Sequence, residues 1–148
     1  MLMNLLVGIP VMLICLIFQA IFVALCLRAY ITHRKKIIDL ERPFVNNIVL
    51  LSLIMILMLV GNFVQMAIWA QVFIWLGEFS DFTTALYHSG VNFATLGYGD
   101  IVMSEQWRLL GPLEASNGIL MFGVSTSVMT AAVMDIIKQS LGRANFPL

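Results

Sequence analysis

Charge is what this sequence has least of. Of its 148 residues only 11% are Asp, Glu, Lys or Arg, against about 25% in a soluble domain, while 61% are hydrophobic. A mean hydropathy of +0.97 places it with integral membrane proteins. Cysteine and histidine are equally scarce, and two of each supply neither a disulfide framework nor a structural zinc set. Eight Lys plus Arg balance eight Asp plus Glu, so no basic excess points to nucleic acid.

What is present is three long apolar runs. Residues 2–27 carry no charge, with Asn4 and Gln19 as their strongly polar side chains. At ~1.5 Å per residue such a run crosses a ~30 Å hydrocarbon core. Its basic residues come after it, at Arg28, Arg34, Lys35 and Lys36, whereas a secretory signal puts them before a shorter run, so it reads as a span. Residues 44–77 make a second span, too long for one perpendicular crossing, which implies tilt or a start along the inner surface. Trp69 and Trp75 are expected at its outer interface. A third span, 113–136, follows Pro112 in a first helical turn.

Five basic residues, Arg28, Arg34, Lys35, Lys36 and Arg42, fall in the connection 28–43, which the positive-inside rule makes a cytoplasmic basic loop. The stretch from Glu78 to Glu114 holds five acids against Arg108. The N-terminus is therefore expected outside and the C-terminus in the cytoplasm of a multi-pass cell-membrane protein. Residues 1–148 read as a single membrane domain of all-α class.

Between the second and third spans, residues 80–94 (SDFTTALYHSGVNFA) have the pattern of a short helix, capped by Ser80 or Asp81 and too short to cross. Residues 95–100, TLGYGD, follow at once. A helix lying on the outer surface before an ordinary turn is one reading of this arrangement. The other is a re-entrant loop, whose non-helical backbone is tolerated at membrane depth only where protein buries it or it lines a watery path.

Thr95, Leu96, Gly97, Tyr98, Gly99 and Asp100 resemble the selectivity-filter signature TVGYGD of the potassium-channel pore family, with Leu96 the one departure. The resemblance runs from about Asp81 to Ala132, and it implies a re-entrant pore helix at 80–94, a filter at 95–100 and an inner helix in the third span, four chains around one axis. Potassium would be held by carbonyls of Thr95, Leu96, Gly97 and Tyr98, as a permeant ion, with no cofactor. The chemistry suits the task, because carbonyls replace a hydration shell without trapping the ion as carboxylates would. An extended strand points successive carbonyls to alternate sides, and Gly97 and Gly99 are the residues able to take left-handed dihedrals. Leu96 is expected to turn its side chain into packing behind the strand, with Tyr98 as a brace. The carbonyl end of the helix at 80–94 would place partial negative charge toward a cavity.

Filter support falls to Tyr87, His88 and Asp100, with Ala94 and His88 standing where the family often has threonine and an aromatic. A contact between His88 and Asp100 would make a pH sensor. The alternative is a neutral His88 packed and bonded to backbone, with Asp100 paired to Tyr87 or water. In the third span, Phe122, Thr126, Thr130 and Met134 would line the conduction path, while Gly123, Ser127 and Ala131 form a small-residue stripe. Gly123 is a hinge or a packing residue. Asn62, Gln65 and Gln71 read as glue between helices, and Cys15 and Cys26 as small apolar side chains. The expected function is a homotetrameric potassium-selective channel in a lipid bilayer, without catalysis. The rivals are a weakly selective cation channel and a non-conducting membrane subunit of a larger assembly.

Overall fold

A computed structural model describes residues 1–37 and 43–144, with side chains for 1–32 and 45–138. The described residues form four helices and no strand: α1 (Leu2–Ile37), α2 (Pro43–Trp75), α3 (Phe82–Phe93) and α4 (Leu110–Ala144). α1, α2 and α4 are each long and apolar enough to cross a membrane. The protein is thus an all-α, multi-pass membrane protein.

The basic connection is shorter than expected. Residues 28–37 continue α1 as helix, because Arg and Lys are good helix formers and neither Gly nor Pro intervenes before Pro43. The rest of that connection, 38–42, lies outside the described residues. α2 opens on Pro43 and stops at Gly77. There a left-handed φ of 76° lets Gly77 N–H bond to the Ile74 carbonyl and Glu78 N–H to the Phe73 carbonyl, at 3.0 Å each. α4 starts three residues earlier than the expected 113, with Pro112 in its first turn, where a missing N–H costs nothing.

α3 packs against both α2 and α4, and α1 lies against those same two helices without touching α3. The core where all the layers meet is built on Cys15, Trp69, Phe73, Phe93, Leu110 and Met121, each with no exposed surface. Trp69 therefore belongs to the interior and not to an interfacial belt, whereas Trp75 is 77% exposed. A second cluster, Cys26, Ile54, Met58, Val128 and Ala132, joins the other ends of α1, α2 and α4. Polar glue runs between the long helices, as Gln65 donates to Gln19 at 2.7 Å and Asn117 to Gln65 at 3.5 Å.

Gly118 is the position where α4 meets the end of α3 most closely. A β-carbon there would overlap the carbonyl oxygen of Phe93, whereas one on Gly123 would meet nothing within 4 Å. Gly118→Ala should accordingly destabilise the fold by about 3 kcal/mol, by overpacking against backbone that cannot yield. Gly123→Ala should leave the thermal stability of the single subunit unchanged, and melting of the two variants in detergent compares them directly.

Candidate functional site

The site is assembled at the two ends of α3. At its start Asp81, in an extended conformation with φ −132°, accepts from Thr84 N–H at 2.8 Å. These hydrogen bonds from Thr84 hold the Asp81 carboxyl below its usual range. Asp81, one of the two residues expected to do so, is thus the cap.

At its end the helix hands its carbonyls to the TLGYGD segment. Thr95 has φ 58°, a conformation that costs a side-chain-bearing residue about 1–2 kcal/mol. In that conformation Thr95 N–H bonds to the Asn92 carbonyl and Leu96 N–H to the Val91 carbonyl, both at 2.8 Å. This is the same closing pair that ends α2, with threonine in place of glycine. Gly97 and Gly99 follow with φ 60° and 72°. Left-handed backbone thus recurs at every second residue from Thr95 to Gly99, the two glycines as expected and Thr95 in addition. The side chains of Leu96 and Tyr98 are 53% and 65% exposed on the single chain. On the single chain the Leu96 side chain is thus more than half exposed and not enclosed in packing behind the segment.

The C-terminal end of the segment is pinned at several points. Tyr87 Oη donates to Asp100 Oδ2 at 2.6 Å, which holds the Asp100 carboxyl below its usual range and pushes the Tyr87 phenol up. Glu78 accepts from both the backbone N–H and the hydroxyl of Ser104, at 2.6 and 2.7 Å, joining the turn after α2 to the loop after the strand. From α1, Asn4 donates to the Gln106 carbonyl at 2.7 Å.

His88 is buried against the rings of Phe73 and Phe79, with centroids 5.6 and 5.0 Å away. Its Nδ1 lies 3.0 Å from the Ile101 carbonyl oxygen and its Nε2 2.9 Å from Asn92 Nδ2. A carbonyl at one nitrogen and an amide donor at the other suit the neutral ring with its hydrogen on Nδ1. Burial lowers its pKa, outweighing the opposing pull of the Ile101 carbonyl and the Asp100 charge. Of the two arrangements expected for His88, the geometry has the one in which it bonds to backbone, while Asp100 accepts from Tyr87.

Along α4, Thr126 and Thr130 are exposed on the single chain and Met134 is 48% exposed, as are Gly123 and Ser127 on the small-residue stripe. Ser125, Thr126, Ser127 and Thr130 each donate to the carbonyl one turn back, at 2.9 Å. Sequence reasoning missed the polar centre behind the strand. Glu114, counted there among outer acids, is fully buried beside Ser89 and Asn92. The available signal was an acid set inside an apolar helical run.

From the middle of α2, through α3 and the TLGYGD segment, to the inner part of α4, residues 63–135 match a family model described as Ion channel. The chain carries an ion-channel domain of that family. Neither a curated relative nor a solved structure matches it. In this channel α1 and the first part of α2 lie outside the matched region, although α1 contributes Cys15 and Gln19 to the same core and Asn4 to the loop after the TLGYGD segment.

Because the folded pKa of His88 is depressed, the unfolded chain takes up a proton first as pH falls below the ordinary value near ~6.5. Stability from this group is complete above that value and is lost as pH falls through the folded pKa. Acidification should lower the melting temperature of the channel, and His88→Phe should remove part of that slope. For the outer pin, Tyr87→Phe and Asp100→Asn should give the same change in channel current decay, and the double variant should add nothing to either.

Proposed function

We propose that this ion channel is potassium-selective and homotetrameric, each chain giving one strand of carbonyls to a central filter. The observation that carries this reading is the left-handed backbone at Thr95, Gly97 and Gly99, at alternate positions in a TLGYGD segment that begins at the end of a capped helix. Such alternation is what a strand needs to turn successive carbonyls of Thr95, Leu96, Gly97 and Tyr98 toward one axis. One chain supplies one strand, and a ring of ligands needs several. The exposure of Leu96 and Tyr98 agrees with surfaces that neighbouring subunits cover.

In this assembly Gly123 and the stripe of Phe122, Thr126, Thr130 and Met134 on α4 border the path below the filter. The basic residues after the first span place the N-terminus outside and the C-terminus in the cytoplasm. Weak cation selectivity is the second reading, favoured by Ala94, which leaves no hydroxyl behind the strand.

In liposomes, reversal potentials should follow the potassium gradient and barium should block. Gly97→Ala should abolish selective current by denying the strand its dihedral, while native mass spectrometry still shows a tetramer. Equal sodium and potassium permeability in the unaltered protein selects the second reading, and a stable monomer or dimer alone excludes the single-pore assembly.

A further inference from the structure

Glu114 is fully buried where α4 faces α3, and the contacts around it locate its proton. Ser89 Oγ lies 2.8 Å from the Met66 carbonyl oxygen of α2 and also touches Glu114 Oε1. A hydroxyl has one hydrogen, and a backbone carbonyl only accepts. Ser89 can thus supply a hydrogen to only one of these two acceptors, and both contacts are hydrogen bonds together only when the Ser89 hydrogen goes to Met66 and the carboxyl brings its own. With the Ser89 hydrogen on Met66, an ionised Glu114 would set carboxylate against hydroxyl lone pairs with no hydrogen between them. Among the described residues the groups around it offer no compensating cation: α2 brings the Met66 carbonyl, α3 brings Ser89 and Asn92 with His88 beyond, and α1 brings Cys15.

We propose that Glu114 is a neutral carboxylic acid that donates to Ser89, and that it is the positioning residue of the filter strand. It ties α4 to α3 and, through Ser89, to α2. Asn92 stands beside the carboxyl and reaches His88, whose Nδ1 holds the Ile101 carbonyl just past the strand. The Glu114 proton thus fixes α4 against α3, and α3 in turn holds the loop after the strand through His88. The positional claim rests on the potassium-channel reading, whereas the protonation claim does not.

Infrared difference spectroscopy of the reconstituted protein, wild type minus Glu114→Gln, reads the proton without any current. The expected result is a carboxylic-acid carbonyl band that shifts in D2O and is absent from Glu114→Gln. Carboxylate bands alone would overturn the proposal. The potassium-to-sodium permeability ratio reads the positioning role. Glu114→Gln keeps a neutral donor and should hold that ratio within about twofold, while Glu114→Leu and Ser89→Ala should lower it about tenfold with the oligomer intact. Collapse in Glu114→Gln, or an unchanged ratio in Ser89→Ala, refutes the positioning role whether or not Glu114→Leu folds. A wild type with no selective current removes the potassium reading and leaves the infrared result to decide the state of Glu114.

Discussion

The structure turns on where backbone hydrogens go when a helix stops among membrane-crossing helices. Wherever water is not at hand, each unpaired amide costs several kcal/mol. α3 meets this constraint by spending its own last carbonyls on the residues that follow it, Val91 on Leu96 and Asn92 on Thr95. That solution demands a left-handed residue immediately after the helix, and Thr95 takes it although it carries a side chain. The handedness of the following strand is thus set at its first residue. Gly97 and Gly99 continue an alternation that the end of the helix has begun.

Everything around α3 serves to keep that junction in place. α2 and α4 enclose it, and Gly118 lets α4 approach the Phe93 carbonyl as closely as backbone can. The polar side chains divide into two sets with different roles. Outside, Tyr87 with Asp100 and Glu78 with Ser104 are exposed pairs that fix loop geometry. Inside, Ser89, Asn92, His88 and Glu114 form a connected group, with Glu114 Oε2 its one oxygen that has no hydrogen-bond partner among the described residues. Exposed pairs of this kind contribute little to stability because water competes for them. Buried ones specify geometry strongly, since any broken link leaves an unpaired group.

Much of this was legible in the residues. Long uncharged runs have only one use at this hydropathy, so the three spans were plain, and TLGYGD announced its conformation through glycine spacing. The positive φ of Thr95 was not legible, because threonine gives no local sign of it and the cause is a hydrogen-bond pattern at the helix end. Trp69 was misplaced for a related reason: its position near an apolar run's end suggested an interface, but the packing of α3 against α2 extends the core that far. Glu114 was counted as an outer acid because charge along a sequence says nothing about depth. The pairing of His88 was decided by which of two neighbours, Asp100 or the Ile101 carbonyl, the loop brings to its Nδ1, and that is a matter of tertiary geometry alone.

The hydroxyls of α4 have a consequence for the sign of what can bind beside them. Ser125, Thr126, Ser127 and Thr130 have each given their hydrogen to their own helix, so what they turn outward is oxygen lone pairs. A surface of that kind accepts hydrogen bonds and donates none. A hydrated cation beside it finds oxygen, while an anion finds nothing to bind it. These hydroxyls thus give α4 hydrogen-bond acceptors that carry no formal charge.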